Sequence, residues 1–424
     1  MTEEFLLYLW KFRNFEMKDL RTTAGDPLEI IQPGYRNTDS GPDFFNARVR
    51  IGETLWAGNI EFHVHASDWE RHNHQADKAY DNIVLHVVYE ADHKVCNAAG
   101  TLFPTLELKD RVPAGLYEKY KEFKNNFDWI PCGKQIRDVR VPVMEAWLER
   151  MLAERLEEKT NRIQETLSLY KNDWEETFYI HLARNFGFRV NALPFEMLAK
   201  SLPLRMLLRY RGNLFQTEAL LFGQAGLLNE YFQDSYAQRL QAEYQFLAYK
   251  HKLTPMNAYL WKFLRLRPLN FPTLRIAQFA RLMQKSDHLF ARIVAAKNKE
   301  ELRTIFRTGT SVFWHTHYHF GKEVAKGPRD LGDESIANIA INTVAPFVFL
   351  YARQMGDESA AEQAFSILTG LNPERNAILR NWKKLGLDIP DAARSQALIE
   401  LKTKYCAARK CLECGIGRDL LKNL

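Results

Sequence analysis

The hydrophobic pattern of the chain changes from a strand period to a helical period between residues 130 and 142, and this change constrains the fold. Residues 28–109 contain short runs of β-branched and aromatic residues separated by glycine, asparagine and aspartate, which is typical of strands. From Pro142 onward, apolar residues recur at helical spacing with charged residues between them. The sequence therefore predicts an α+β fold, with a small strand-rich N-terminal domain followed by a large all-helical region.

The length and composition refine this prediction. A chain of 424 residues is too long for one small hydrophobic core. We predict a strand-rich domain at 1–130 that opens with an amphipathic helix, a basic helical region at 131–405, and a cysteine-rich tail at 406–424 that packs back on the boundary. The N-terminus begins with two acids and lacks a cleavage site, and no apolar run approaches about 20 residues. We therefore expect a cytoplasmic protein without a membrane segment.

The charge is distributed unevenly along the chain. Residues 1–130 carry 15 Lys and Arg against 21 Asp and Glu, whereas residues 131–424 carry 43 against 31. Residues 200–282 are the most basic, with 12 against 4. This segment is either a solvated helical face or a surface that follows the phosphates of a nucleic acid, and Tyr210 and Phe271 could stack on bases. The candidate phosphate contacts are Arg205, Arg209, Arg211, Arg265, Arg267 and Arg275.

Residues 41–86 concentrate carboxylates and imidazoles, which are the side chains that a divalent metal or an acid–base site needs. Five of the twelve histidines of the chain fall in this segment. The clustered residues are Asp43, Glu61, His63, His65, Asp68, His72, His74, Asp77 and His86. Two of them have simpler interpretations: His86 lies among apolar residues and is expected to be a core imidazole, and Asp68 is expected to cap a turn or a helix.

Strand geometry predicts how these side chains meet. Alternate residues of a strand share one face, so Glu61, His63 and His65 should project together, and Asp43 approaches Glu61 if their strands are neighbours. We predict that Asp43 and Glu61 hold Mg²⁺ or Mn²⁺ and that His63 positions or deprotonates water. The alternative is a histidine and carboxylate site for Zn²⁺, Fe²⁺ or Mn²⁺, with His65, His72 and His74 as further ligands.

Pro42-Asp43, seventeen intervening residues and then Glu61-Phe62-His63 resemble the PD-(D/E)XK nuclease superfamily. The resemblance implies a restriction-endonuclease-like core and a further acid from the N-terminal helix, for which Glu3, Glu4 and Glu16 are the candidates. The chain departs from the pattern at His63, where the family has lysine. A second E-x-K pattern, Glu107 and Lys109, offers a relocated cation.

A wider resemblance covers nearly the whole chain. The segments SGPDFFNARV, GNIEFHVHASDWERHNH and YDNIVLHVVYE, together with the cysteine-rich tail, resemble a bacterial family known as domain of unknown function 2851. This resemblance implies that the strand-rich and helical parts belong together, and it implies no activity.

Three of the five cysteines lie at the end of the chain with the spacing C-x4-C-x2-C. Cys406, Cys411 and Cys414 could bind one metal centre with Cys132 as the fourth ligand, and the centre would be zinc or an iron–sulfur cluster. The arrangement resembles the staple of the iron–sulfur nucleases. The alternative is a group of reduced, partly buried thiols, and Cys96 is expected to be structural.

These patterns predict a metal-dependent, nuclease-like phosphodiesterase that acts on nucleic acid. Two alternatives remain open at this point: a non-catalytic nucleic-acid or protein scaffold with a structural metal, and a metal hydrolase of a small molecule. The chain contains no phosphate-binding glycine loop, serine elbow or dinucleotide fingerprint. His315, His317 and His319 alternate among aromatic residues and are expected to serve packing.

Overall fold

The computed structural model describes residues 1–96, 100–296 and 298–422. Its contacts divide the chain into unit 1, which comprises Met1–Trp147 and Lys402–Leu424, and unit 2, Leu148–Leu401. The sequence predicts the boundary at 130/131. The division in the structure follows Trp147 and falls inside the 29-residue helix Val141–Leu169. The C-terminal residues, which the sequence suggested as a separate tail, belong to unit 1.

Unit 1 is built on one mixed sheet with the strand order β1-β3-β4-β5-β6, and β2 pairs with β3. The contacts of β3 with β1, β2 and β4 are antiparallel, whereas β4, β5 and β6 run parallel. The strands of this sheet are β1 Leu28–Gln32, β2 Tyr35–Arg36, β3 Phe44–Ile51, β4 Thr54–His65, β5 Ile83–Glu90 and β6 Thr105–Glu107. The strand-rich N-terminal part predicted from the sequence is confirmed.

The helices form most of the remaining structure. They are α1 Glu3–Phe12, α2 Asp68–Arg71, α3 Leu116–Asn125, α4 Val141–Leu169, α5 Trp174–Phe186, α6 Ala192–Ser201, α7 Leu204–Arg209, α8 Leu214–Gln224, α9 Ser235–His251, α10 Pro272–Lys285, α11 Leu289–Ala295, α12 Lys299–Phe306, α13 Asp333–Ile339, α14 Ala345–Met355, α15 Glu358–Gly370, α16 Ala377–Lys384, α17 Ala392–Glu400 and α18 Gly415–Lys422. π-Helical turns at Ala340–Val344 and Leu401–Cys406 interrupt this pattern.

Helix α1 packs on one face of the sheet through its aromatic side chains. Trp10 meets the ring of Phe62 on β4 edge to face, with 5.7 Å between the centroids, and Phe5 stacks on Tyr120 of α3 at 5.1 Å. Since side chains alternate along a strand, Phe62 faces α1 while its neighbours Glu61 and His63 face the opposite side. Burial of the aromatic face therefore fixes which side of the sheet carries the polar residues.

The parallel pairing of β4 with β5 requires a crossover connection, which occupies residues 66–82. This connection contains α2 and two 3₁₀ turns, His74–Ala76 and Lys78–Tyr80. Its Trp69 is buried with Ala66, Val88 and other apolar residues. The crossover therefore covers the polar face of β4 and brings its own histidines to that face.

A β-bulge lies at the start of β3. The pairing with β4 shifts register between Phe44 and Ala47, and Asn46 has a left-handed φ of 54°, a conformation that asparagine tolerates better than most residues. Bulges bend a strand and change the direction of nearby side chains. This bulge lies directly after Asp43.

Among its described residues, unit 2 has one strand pair, the hairpin of β7 His317–His319 with β8 Lys322–Glu323, and is otherwise helices and loops, so the expectation of an all-helical region is wrong in this detail. The ring of His317 stacks on Phe313 at 4.0 Å, which agrees with a packing role. The helix Asp333–Met355 is long and apolar enough to cross a membrane. An 18-residue stretch of it has a mean hydropathy of 1.5, but 67% of this stretch is buried inside the protein. Such burial is typical of a core helix of a soluble protein.

At Gly58, β4 passes so close to the start of β5 that one added methyl group is expected to destabilise the fold. A Cβ on Gly58 would lie 2.5 Å from Val84 Cγ1 and 2.6 Å from the Asn82 carbonyl oxygen. We expect Gly58→Ala to reduce the free energy of unfolding by about 1–3 kcal/mol, the usual cost of overpacking. The exposed neighbour supplies a control, Ala57→Ser, with an expected change within about 0.5 kcal/mol. Equal stability of the two variants in denaturant unfolding would contradict this packing.

Candidate functional site

Asp43 and Glu61 form a reciprocal pair at one end of β3 and β4. The backbone N–H of Asp43 donates to Glu61 Oε2 at 3.1 Å, and the backbone N–H of Phe62 donates to Asp43 Oδ2 at 3.2 Å. The Glu61 carboxylate therefore accepts a hydrogen bond from the backbone of Asp43 itself. The Asp43 carboxylate accepts one from the residue that follows Glu61 on β4. The predicted approach of these two acids is present in the structure. Asp43 directly precedes β3, Glu61 lies on β4, and the pairing of these strands contains the β-bulge.

Both carboxyl groups lie in an environment that disfavours their charges. Burial raises the pKa of Asp43 to about 6. Burial, followed by the charge of Asp43, raises the pKa of Glu61 to about 9. Glu61 is buried and Asp43 half-buried, and although the charge of Arg36 favours the ionised form of Asp43, ionisation of both adjacent acids is unfavourable, so the pair is suited to hold a proton or accept a cation.

The third acid is Glu3, at the start of α1. Its charge raises the pKa of both Asp43 and Glu61. Of the other two candidates, Glu4 accepts a hydrogen bond from the hydroxyl of Tyr120 at 2.9 Å, and Glu16 accepts one from the backbone of Lys18. Three carboxylates thus surround one end of the central strands.

Three histidines form a compact group beside this acid pair. The ligand nitrogens of His63, His72 and His74 all lie within 4.8 Å of one another, and His63 Nε2 is 3.2 Å from His72 Nδ1. His74 Nε2 lies 3.6 Å from Glu61 Oε1 and is a buried nitrogen without a hydrogen-bond partner among the described residues. His63 comes from β4, His72 from the end of α2 and His74 from a 3₁₀ turn, so the crossover completes the group.

His86, on the neighbouring strand β5, contacts His63 and so supports the histidine group. Its Nε2 lies 2.9 Å from His63 Nδ1, because β5 pairs Glu61 with His86 and Phe62 with Val87. His86 is fully buried, and burial together with neighbouring imidazoles lowers the pKa of His63 to about 2 and of His86 to about 3. His86 was expected to be a core imidazole, and its contact with His63 adds a positioning role that its apolar neighbours did not reveal.

The neutral state of His63 has a chemical consequence. A neutral imidazole has one nitrogen lone pair, which is the form that binds a metal. Both nitrogens of His63 have histidine partners, and a cation placed between His63 and His72 would replace the shared proton of that contact. Hydrogen bonding of the remote nitrogen to His86 would then orient the ring, as commonly occurs around metal-bound histidines.

Aromatic rings enclose the histidines on the crossover side. Tyr80 lies 4.0 Å from His74 between ring centroids, and Trp69 lies 5.4 Å from His74 and 5.3 Å from His86. Burial and the nearby carboxylates raise the pKa of Tyr80 to about 12. These rings keep water from one side of the site and strengthen the electrostatic interactions inside it.

Other residues that the sequence singled out lie outside the group. The side chain of His65 faces Glu90, with Nδ1 3.9 Å from Oε2, because it is two residues further along β4. Asp68 accepts the backbone N–H of His65 at 3.1 Å, and Asp77 caps the 3₁₀ turn through the N–H of Ala79. Lys109 forms an ion pair with Glu90 at 2.6 Å, so it is not the relocated cation that the E-x-K pattern suggested.

The predicted phosphate contacts divide into exposed and buried residues. Arg275 is buried and donates to Gln278, Asn270 and Ser335; the prediction that it contacts nucleic acid is corrected to a structural role. The guanidinium group of Arg211 pairs with Asp287 at 2.6 Å. The exposed arginines of the predicted set are Arg205, Arg209, Arg211, Arg265 and Arg267.

Unit 2 also contains a basic cavity of about 700 Å³ that the sequence reasoning missed. The cations along its wall are Arg155, Lys159, Arg162, Arg184 and Arg189. Burial, and then the charge of Arg155, lowers the pKa of Lys159 to about 7, and Glu400 and Glu196 pair with Arg155 and Arg184. Arg155, Lys159 and Arg162 lie on α4, Arg184 lies on the next helix α5 and Arg189 follows α5, so only the i, i+4 and i+7 spacing along α4 could have indicated the cavity.

Comparison with known proteins gives the family of the chain and no activity. Residues 3–377 match the family described as "Protein of unknown function (DUF2851)", and the chain belongs to this family. The comparisons with curated proteins and with solved structures gave no match. The wider resemblance stated from the sequence is therefore confirmed.

The raised pKa of Glu61 predicts a pH-dependent stability. Between the ordinary value of 4.5 and the folded value of about 9, the folded state binds more protons than the unfolded state, so metal-free protein loses stability as the pH rises through this window. Glu61→Gln is neutral throughout, and we expect it to exceed the wild type in unfolding free energy by at least about 1 kcal/mol at pH 8 and by less at pH 5.

Thermal unfolding in the presence of a chelator measures this difference. The exposed Glu53→Gln, in the turn between β3 and β4, is the control and should follow the wild type at both pH values. A Glu61→Gln variant that is less stable than the wild type at pH 8 would contradict the assignment of a buried, unfavourable charge to Glu61.

Proposed function

We propose that the chain is a metal-dependent phosphodiesterase that acts on nucleic acid. The observation that carries the proposal is the meeting of three imidazoles with an acid pair: His63, His72 and His74 have their ligand nitrogens within 4.8 Å of one another, and Glu61 lies 3.6 Å from His74. A structural role would not require an acid pair and histidines to share a buried site at the cost of their ordinary protonation states.

The side chains fit a divalent cation. Asp43 and Glu61 would hold it through oxygen, which suits Mg²⁺ and Mn²⁺, and His63, His72 and His74 would hold it through nitrogen, which suits Zn²⁺ as well. The unpartnered Nε2 of His74 is directed at this place. Such a cation would lower the pKa of a bound water and neutralise charge on the phosphate.

His72, His63 and Glu3 have different roles in the proposed reaction. His72 is exposed at the open side of the group; where the other side chains complete the ligand set, its imidazole is placed to accept a proton from water instead of binding the cation. His63 cannot serve as a base while His86 and His72 occupy both of its nitrogens, so we assign it to binding and orientation. Glu3 adds negative charge at the start of α1 and favours a divalent over a monovalent cation.

The substrate class rests on the charge of unit 2. Five exposed arginines of the predicted set and the exposed Arg162 and Arg189 of the cavity wall provide surfaces that attract phosphate groups. The net charge of +6 acts in the same direction. A hydrolase of a small molecule is the second candidate, and the three-histidine group favours it because such groups hold Zn²⁺ in catalytic sites.

Cleavage of labelled nucleic acid tests the proposal. We expect the wild type to cleave single- or double-stranded DNA or RNA with Mg²⁺, Mn²⁺ or Zn²⁺, and Asp43→Asn and Glu61→Gln to lose at least about 100-fold in rate, as expected when a group that acts on water or metal is removed. His65→Gln, on the same strand but outside the group, is the matched control and should retain its rate.

The same variants separate the possible outcomes. Equal cleavage by wild type and Glu61→Gln would contradict the site assignment, and absence of cleavage with all three metals would contradict the nuclease proposal. Salt-dependent binding without turnover would instead support a scaffold. Since Glu61→Gln is expected to be at least as stable as the wild type without metal, its loss of activity cannot be attributed to unfolding.

The basic cavity of unit 2 gives a separate prediction about binding. Arg162 and Arg189 are exposed residues of its wall. We expect Arg162→Gln with Arg189→Gln to weaken nucleic-acid binding about equally for all sequences and to reduce the slope of log affinity against log salt by about 1 per lost phosphate contact. Arg150→Gln, on the same helix α4 but outside the cavity wall, is the control. An unchanged salt slope in the double variant would contradict phosphate binding at this cavity.

A further inference from the structure

Four of the five cysteines meet within unit 1. Cys132 lies in a turn after α3, Cys406 ends the π-helical turn Leu401–Cys406, and Cys411 and Cys414 lie in the loop before α18. Cys132, Cys411 and Cys414 are buried, Cys406 is half-buried, and all four are free thiols. The group joins one segment near residue 130 with the C-terminal segment, which are 274 residues apart at their nearest members, Cys132 and Cys406.

The sulfurs are close enough to interact electrostatically in every combination. A charge on Cys132, Cys411 or Cys414 raises the pKa of Cys406. The pKa of Cys132 responds to Cys414 and Cys411, and that of Cys411 responds to Cys414. These relations cover all six pairs of the four sulfurs.

Interactions outside the thiols hold the two segments together. Lys402 donates to the carbonyl of Trp129 at 2.7 Å and lies over its indole ring at 5.0 Å. The guanidinium of Arg409 lies over the ring of Phe127 at 5.1 Å. A Cβ on Gly417 would lie 2.3 Å from the carbonyl oxygen of Cys411, so the loop with Cys411 and Cys414 closes tightly on the start of α18.

The environment of Cys414 favours a thiolate locally. Its sulfur accepts hydrogen bonds from the backbone N–H groups of Gly417 and Ile416, in the first turn of α18. Hydrogen bonds to a charged group stabilise that form, and they are one means by which proteins stabilise sulfur ligands of metal clusters. Burial nevertheless raises the pKa of all four thiols, so the group without a cation is neutral.

The spacing of the sulfurs favours one of two kinds of centre. A tetrahedral zinc ion with Zn–S bonds of about 2.3 Å holds its sulfurs about 3.8 Å apart. In the described chain, the histidines of the candidate site form a group with ligand atoms within 4.8 Å, whereas no three of these sulfurs do. A cluster separates its thiolates further than a single ion, because iron and sulfide lie between them.

We propose that Cys132, Cys406, Cys411 and Cys414 ligate a [4Fe–4S] cluster that fastens the C-terminal segment to the strand-rich part of unit 1. Each thiol loses its proton to solvent when it binds iron, and the positive charge of the irons compensates four buried thiolates. The role is structural and requires no electron transfer. This centre is separate from the acid and histidine site, and its test is independent of nuclease activity.

Metal and sulfide analysis of the full chain tests the proposal. We expect protein purified without oxygen, or reconstituted with ferrous iron and sulfide, to contain about four irons and four acid-labile sulfides per chain, with a broad visible absorption that is lost on oxidation. Cys411→Ser and Cys406→Ser should each lose most of the iron and the absorption. Cys96→Ser is the matched control, because Cys96 is half-buried elsewhere in unit 1, and it should retain both.

The outcomes that overturn the proposal are equally direct. One zinc per chain without sulfide would replace the cluster with a single-ion site, and wild-type protein without metal after reconstitution would leave a group of reduced thiols. The wild-type measurement decides between these results even if the serine variants do not fold. A fall in the thermal midpoint of the wild type when iron is removed would further support the structural role.

Discussion

The parallel pairing of β4 with β5 is the constraint on which the candidate site depends. This pairing places Glu61 opposite His86 and brings His63 Nδ1 within 2.9 Å of His86 Nε2. It also requires a crossover, because parallel neighbours cannot be joined by a tight turn. The crossover carries His72 and His74 back over the face where Glu61 and His63 project, so one hydrogen-bonding pattern assembles ligands from three places in the sequence.

The two faces of β4 have opposite functions. Phe62 packs against Trp10 of α1, and this apolar contact offsets part of the cost of burying charged groups on the other face. The cost is visible in the raised pKa of Glu61 and the lowered pKa of His63. Such a site is well suited to bind a cation, because the cation compensates the charge of the Glu61 carboxylate and can bind the neutral imidazole of His63.

The cysteine group follows a similar logic with different chemistry. Its sulfurs converge because Lys402 and Arg409 fasten the C-terminal segment to the residues around Trp129, and burial leaves the thiols neutral without a cation. Both groups place side chains that could bind metal in an environment that disfavours their charges, and this is the basis of the two metal proposals. The acid pair suits a hard divalent ion and the thiols suit iron or zinc, so the two proposed sites would select different metals.

The sequence by itself determined the fold class and the strands β3, β4 and β5, because alternation along a strand is a local property. It predicted the approach of Asp43 to Glu61 only for neighbouring strands, and the pairing of β3 with β4 supplies that condition. It also identified the four cysteines, whose spacing is local for three of them. Tertiary structure alone decided that the charge of Glu3 raises the pKa of Asp43 and Glu61, that His86 supports His63 while His65 turns to Glu90, and that Arg275 is buried. Those outcomes depend on strand register, on the path of the crossover and on helix packing, which are set by contacts between residues far apart in the chain.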